Sequence, residues 1–393
     1  MTFIPLSVPV LRGNELAYVT DCIQTGWVSS VGSYVTRFEQ QIAQLTGARH
    51  AVACINGTAA LHISLLLADV QPGDMVLVPT VTFIAPVNTV RYVQGVPVFM
   101  DCDEALNMDP IKVRAFCEDE CRRQDGGRLV HKKTGARVAA LIVVHVFGHP
   151  ADLGALAAIA DDYGLALIED ATEALGSCYT EGRFAGRQAG TVGVFGCYSF
   201  NGNKIVTTGG GGMIVTDRED LAQRARYLTT QAKDDDVRFL HNSVGFNYRL
   251  TNVQAALGVA QVEQLQGFVA TKRANFARYR AQLDGWRGLR LITEPAGTFS
   301  NHWHYTLLVP PAGEGEGGKG RDALMRHLAE QEIQTRPIWE LNHRQAPYRD
   351  DPAFRIDRAI WFHQRGLNLP CSADLTASDV DRVCEAIKSF LGA

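Results

Sequence analysis

Seven short runs rich in Val and Ile are spaced along the first two-thirds of the chain, with helical patterns between several of them, and this alternation leaves few architectures open. The runs are HAVACI (50–55), MVLVP (75–79), VPVFMD (96–101), ALIVVHVF (140–147), ALIED (166–170), VGVFGCYSF (192–200) and GMIVT (212–216). Apolar runs of this length read as strands buried on both faces, and residues 58–69, 83–94 and 152–163 carry the helical pattern. The alternation predicts an α/β fold. Its centre is a large, mostly parallel seven-stranded sheet sandwiched by helices, with ligands bound outside the carboxyl ends of the strands.

After Thr251 the pattern changes to a long helix, TNVQAALGVAQVEQLQGFVATKRANFARYRAQL, capped by Thr251 or Asn252. From about residue 290 strands and helices mix. A chain of 393 residues exceeds the ~250–300 at which single cores stop growing. The expected organisation is a large domain over 1–250, then a linking helix and a smaller α+β domain over 251–393. The stretch EDECRRQDGGRLVHKKTGAR (118–137) reads as a charged insertion or hairpin, and PPAGEGEGGKG (310–320) as a flexible surface loop.

Several classes of function are set aside by composition. A formal net charge of -4 gives no basic footprint for nucleic acid. The longest apolar runs, such as VAALIVVHVF (138–147), fall short of the ~20 residues a membrane span needs. The opening MTFIPLSVPVLRGNEL is broken by Pro5 and Pro9 and has no basic leader or small-residue cleavage site, so it does not read as a signal peptide, and the expected location is the cytosol. Nine scattered cysteines argue against a disulfide framework. The spacings Cys117/Cys121 and His145/His149 lack the second half of a zinc site, so no metal is expected.

The chemistry centres on SFNGNKIVTTGGGGMIVT (199–216). Asn203 precedes Lys204 and Ile205 follows it, which is not the Gly-Lys-Ser/Thr order of a phosphate-binding loop; the glycines also lack dinucleotide spacing. A lysine in a water-poor pocket that forms an imine with an aldehyde cofactor fits better, and pyridoxal phosphate is the obvious aldehyde. It requires an acid facing the ring nitrogen, a phosphate cup and a flat partner for the ring. Asp170, at the end of ALIED, is either that acid or a helix cap. Gly57 and Thr58 open a helix whose free N–H groups suit a phosphate, or are simply capped. Phe83 follows a strand end and either stacks on the ring or packs in the core. The cluster NHWHY (301–305) reads as core strand.

Beyond these features, the segments GWVSSVGSYVTRFE (26–39), NGTAAL (56–61), PTVTFIAPVN (79–88), EDATEALGS (169–177), SFNGNKIVTTGGGGMIVT (199–216), GFNYRLTNVQAALG (245–258) and NHRQAPY (342–348) resemble the DegT/StrS sugar aminotransferases, a family of fold-type I pyridoxal-phosphate enzymes, over essentially the whole length. The resemblance implies that Lys204 is the Schiff-base lysine and proton shuttle and that Asp170 partners the pyridine nitrogen. It also implies that Phe83 stacks on the ring, that Gly57, Thr58, Ala59 and Ser199 surround the phosphate, and that Asn247 reaches the cofactor of a neighbouring subunit in a homodimer with shared active sites. Glu173 stands near the cofactor where the family usually has Gln or His, and Gly210 where many members have Glu. Both departures resemble a subgroup acting on nucleotide-linked amino sugars, including precursors of legionaminic-acid-like nonulosonic acids. The implied reaction moves an amino group from L-glutamate, through the pyridoxamine form of the cofactor, to the keto carbon (C4) of a nucleotide-linked deoxyhexose. Arg249 and Arg336 either bind a substrate carboxylate or diphosphate or form surface ion pairs; His343 and Tyr348 either meet the substrate or pack. A same-fold sugar dehydratase would carry histidine in place of Lys204. A non-catalytic cofactor-binding regulator is the reading from another class, and no basic stretch supports it.

Overall fold

The computed structural model describes residues 2–124, 126–235, 237–313 and 320–392; Asp125 of the charged insertion and 314–319 of the glycine-rich loop lie outside the described residues. All seven expected strands form one sheet, in the spatial order His50–Cys54, Gly212–Thr216, Phe195–Ser199, Ala166–Asp170, Val138–Val144, Met75–Pro79, Val96–Met100. Gly212–Thr216 runs antiparallel to both neighbours, and the other pairs are parallel. The sheet has an eighth strand where seven were expected. Ala353–Phe354, from the C-terminal part of the chain, adds in parallel to Val96–Met100 at the edge, and two residues are too few for periodicity to reveal.

The apolar runs behave as strands because both faces are covered. Met75–Pro79 and Val138–Val144 are buried at every position. Successive side chains alternate between two cores: Val76 and Val78 enter one, Met75 and Leu77 the other. The intervening helices are Gly57–Leu67, Ala85–Tyr92 and Leu153–Tyr163, the first and last capped by the side chains of Asn56 and Asp152. The charged insertion is a hairpin, with Cys121–Arg123 antiparallel to Leu129–His131.

The long C-terminal helix is two helices, Asn252–Val262 and Leu265–Leu283. Thr251 caps the first through a reciprocal capping box with Gln254. The break seats Leu265 in the core and lets Gln261 and Gln264 both donate to Glu15 Oε1. Beyond it a four-stranded antiparallel sheet forms in the order Arg290–Leu291, Tyr305–Leu308, Gly366–Leu369, Arg336–Pro337, around its own core of Tyr279, Leu307, Leu328 and Ile387. The start of the chain is stitched to this layer: Ile4 bridges Ile333, and Leu6 N donates to Gln334 Oε1 at 3.0 Å.

Two local features make the fold testable. At the start of Gly212–Thr216 the backbone passes so close to the next strand's turn that a Cβ on Gly212 would meet Asn56 C and O at 2.4 Å, whereas one on Gly210 meets only Gln254 Nε2, at 3.6 Å. Gly212→Ala is therefore expected to destabilise the protein by about 1–3 kcal/mol or more, and Gly210→Ala to stay within about 0.5 kcal/mol of the parent, as read by urea unfolding. The second feature is His149, buried edge-to-face against His302 at 5.5 Å, with no hydrogen-bond partner for its Nδ1. Burial pushes its pKa down to about 4. Above pH 6.5 neither state is protonated; as pH falls toward 4 the unfolded chain binds a proton that the native ring refuses, so stability is lost across this window. Unfolding curves at pH 7 and pH 4 are expected to show His149→Gln losing less stability than the parent, by on the order of 3 kcal/mol.

Candidate active site

Five strand ends converge on one cavity of about 740 Å³ at the carboxyl edge of the large sheet. The turn after His50–Cys54 supplies Asn56, Gly57 and Thr58; that after Met75–Pro79 supplies Thr82 and Phe83; that after Val138–Val144 supplies Phe147; that after Ala166–Asp170 supplies Asp170, Thr172 and Glu173; that after Phe195–Ser199 supplies Ser199, Asn201 and Lys204. The opposite wall comes from the C-terminal layer and the chain start, with Trp303, His304, Arg336, Trp339 and Ser7. The cavity occupies the place where open α/β sheets hold ligands.

Strand geometry gives two neighbouring carboxylates different fates. Glu169 and Asp170 point to opposite faces of the sheet. Glu169 is turned away from the cavity and fully satisfied: Oε1 accepts from Val192 N and Gly193 N at 2.6 Å each, and Oε2 from Gly190 N at 2.7 Å and His145 Nε2 at 3.0 Å. His145 Nδ1 accepts from Ala151 N, so the ring proton sits on Nε2. Asp170 lines the cavity, is 2% exposed, and has Thr172 N donating to Oδ1 at 3.1 Å. Burial raises its pKa, against the hydrogen bonds from Thr172 and the charge of Lys204.

Lys204 lies in the loop after Phe195–Ser199, its side chain 13% exposed. Its Nζ is 3.4 Å from Glu173 Oε1 and 3.9 Å from the centroid of the Trp303 ring. Glu173 Oε2 accepts from Phe147 N at 2.8 Å. Burial pushes the Glu173 carboxyl up to about 7, while Lys204 and the Phe147 N–H act to lower it. Phe83 is 56% exposed with its ring edge-on to Trp339 at 6.4 Å, so it stands at the cavity wall and not in the core.

The helix Gly57–Leu67 aims its amino end at the same space. Asn56 Oδ1 takes the N–H of Ala59 at 2.7 Å, and the N–H groups of Gly57 and Thr58 stand at the wall beside Ser199. A Cβ on Gly57 would meet Ser199 Cβ at 2.9 Å and Thr172 Cγ2 at 3.0 Å, so only glycine keeps this corner open. A helix N-terminus with free amides is an anion site. The donor set therefore fits pyridoxal phosphate: a cup for the phosphate, a buried carboxyl for a protonated ring nitrogen, and an amine for the aldehyde.

Not every expected residue is brought here. Ala59 is buried and its N–H is already used. Asn247 is exposed and bridges Thr230, away from this chain's own cavity. Arg249 is a structural ion pair, with Nη1 2.6 Å from Glu39 Oε1 in a cluster shared with Arg226. His343 hydrogen-bonds Thr80 Oγ1 at 2.6 Å, and Tyr348 hydrogen-bonds Asn88; both pack behind the wall. Of the substrate candidates only Arg336 lines the cavity. Trp303, Trp339, His304 and Phe147 were missed as site residues. Residues 301–304 are buried as a core reading requires, but they form a loop before Tyr305–Leu308 and turn Trp303 into the cavity.

The chain is similar to known proteins over nearly its whole length. A sequence model described as the DegT/DnrJ/EryC1/StrS aminotransferase family matches residues 9–388. A GDP-perosamine synthase of Caulobacter vibrioides is 36% identical over 392 residues, covering 99% of this chain and 98% of that protein. One of Vibrio cholerae is 34% identical over 391 residues, covering 98% and 99%. Among solved structures, the aminotransferase TlmJ of Streptoalloteichus hindustanus superposes with a TM-score of 0.87 at 29% identity, over 100% of this chain and 99% of that one. DesI, crystallised in the presence of its TDP-sugar product, gives 0.86 at 27% identity, over 100% and 93%. The family model's match to residues 9–388, with relatives more than 30% identical over nearly the full length, places the chain in the DegT/DnrJ/EryC1/StrS aminotransferase family.

Proposed function

We propose that this cavity transfers an amino group from L-glutamate to the keto carbon, C4, of a nucleotide-linked deoxyhexose, in a cytoplasmic homodimer. The enzyme is a pyridoxal-phosphate-dependent aminotransferase of amino-sugar biosynthesis. The observation that carries the residue roles is the meeting of Lys204, Asp170 and the Gly57–Leu67 amino end at one carboxyl edge. Bound pyridoxal phosphate supplies an aldehyde carbon that carries the amino group and a ring that accepts electron density from an adjacent carbanion.

The side chains supply position and protons. Lys204 Nζ would be the covalent anchor; once released, it would move the proton of the glutamate α-carbon to the cofactor's aldehyde carbon in the first half of the cycle and, in the second, take one from that carbon and give it to the sugar carbon. Its tether holds the base within reach of both carbons, replacing a bimolecular proton transfer by an intramolecular one. Asp170, in the cavity wall, would pair with the ring nitrogen. Burial alone favours its neutral form, and a protonated ring nitrogen opposite is the positive partner that restores the carboxylate. Gly57, Thr58 and Ser199 would hold the phosphate, and Phe83 would cover the ring. Arg336, at the mouth, suits the carboxylate of the donor or the diphosphate of the acceptor.

The homodimer is supported by what one chain leaves uncovered. Val237, Phe239, Leu240 and Val244 are all more than half exposed in the segment that leads to exposed Asn247. A second copy covers such a patch and lets Asn247 reach its partner's phosphate. GDP-perosamine synthases and an enzyme with a TDP-sugar product stand among the relatives, so a nucleotide-linked keto sugar is the acceptor class.

Lys204→Ala is expected to fold as the parent does and to lose glutamate-dependent formation of 2-oxoglutarate by at least about a thousand-fold. The parent, first converted with glutamate, is expected to aminate a member of a panel of GDP-, dTDP- and UDP-linked 4-keto-6-deoxyhexoses, read by mass of the product. Retained activity in the lysine variant, or no turnover across the panel, contradicts the proposal.

A further inference from the structure

We propose that Trp303 is a positioning residue for Lys204: its indole face is the seat on which the released amine rests while protonated, between taking a proton from one carbon and giving it to the other within each half of the transfer. The inference rests on the reading of Lys204 as the proton carrier. It explains a side chain that the sequence offers only as core and that the cofactor does not require.

Three contacts converge on this one residue, two of them on its indole. Its face lies 3.9 Å from Lys204 Nζ, within the range of a cation–π contact. Its Nε1–H donates to the carbonyl of Asn203, the residue before the lysine, at 2.9 Å. The same ring thus holds both the backbone that carries the amine and the amine itself. Its own backbone N–H donates to Asn301 Oδ1 at 2.9 Å.

Glu173 does not do this alone. Its carboxylate is 3.4 Å from Nζ, longer than the ~2.7–2.9 Å of a strong charge-assisted bond. A largely enclosed ammonium with one long carboxylate contact has room for a second partner, and the indole face supplies it without a formal charge that would draw the amine away from the cofactor. An aromatic face also binds without a directional bond, so the amine can leave it for either of the two carbons between which it moves the proton.

The ring is held rigidly enough to serve as a seat. Asn301 Nδ2 donates to the carbonyls of Glu173 at 2.9 Å and Leu175 at 3.0 Å, and Asn301 N donates to Ser177 Oγ at 2.9 Å. His302, between Asn301 and Trp303, adopts φ 48, a left-handed conformation that costs a non-glycine residue about 1 kcal/mol or more. Its ring stacks on Phe276 at 3.9 Å. A strained residue pinned on both sides sets the direction of the one that follows.

The test uses the holoenzyme and label exchange between L-glutamate and 2-oxoglutarate, which needs no sugar. Trp303→Phe and Trp303→Leu both lose the bond to Asn203, and only the first keeps an aromatic face. Trp303→Leu is expected to lower the exchange kcat about ten-fold with the KM for glutamate within about two-fold, and Trp303→Phe to recover to within about three-fold of the parent. Trp303→Met, also ringless and closer in volume, replaces the leucine variant should that one not fold. Equal losses in the phenylalanine and ringless variants, an unchanged ringless variant, or a rise in KM at constant kcat would each overturn the proposal. Absence of exchange in the parent enzyme is a separate result that sinks the functional reading and this inference together.

Discussion

An ammonium group removed from bulk water must find compensation, and the placement of Lys204 is the constraint around which this structure is arranged. The cost of burying a charge is several kcal/mol unless it is paired. Here the pairing is shared among the Glu173 carboxyl, the Trp303 face and the more distant charge of Asp170. None of the three is a tight ion pair. A tight pair would hold the proton permanently, whereas an amine that carries a proton between two carbons needs surroundings that tolerate both of its charge states.

That arrangement depends on two layers meeting. The parallel sheet brings five turns to one edge, as its topology requires, but the turns alone leave the cavity open on one side. The C-terminal layer closes it, and the loop 301–304 is the fastener: Asn301 ties down the turn that carries Glu173, and Trp303 ties down the loop that carries Lys204. The chain start joins the same wall through Leu6 and Gln334. The lysine loop and the Glu173 turn are thus held by residues 100 and 128 positions away in sequence, which couples the integrity of the small sheet to the position of the lysine.

How much of this was legible in the sequence follows from range. The seven strands of the large sheet were readable because burial on both faces writes a continuous apolar run, as in Met75–Pro79 and Val138–Val144. Ala353–Phe354 was not, because two residues carry no period. The single long helix is two, and at the break Gln261 and Gln264 both meet Glu15, a long-range contact that no local pattern encodes. Among site residues, Lys204, Asp170, Glu173, Gly57, Thr58, Phe83 and Ser199 all reached the cavity because each sits just past a strand end, a position that can be counted from the sequence. For Arg249 and His343 the sequence left two readings open, and the structure shows the ion pair of the one and the packed hydrogen bond of the other. Whether an arginine meets a ligand or Glu39 is decided by tertiary packing, and an isolated side chain bears no mark of it. Trp303 was hidden among buried neighbours, since burial in a core and burial in a cavity wall look the same in one dimension.

The central claim is that the amine of Lys204 is the point where the cofactor is joined to this chain. Reduction of the pyridoxal-phosphate-loaded protein with borohydride, followed by proteolysis and mass spectrometry of the peptide spanning Ser199 to Thr216, tests it most directly. The account predicts a single pyridoxyl-phosphate mass addition on Lys204. Addition at another lysine, or none on a protein that nevertheless transaminates, would contradict it.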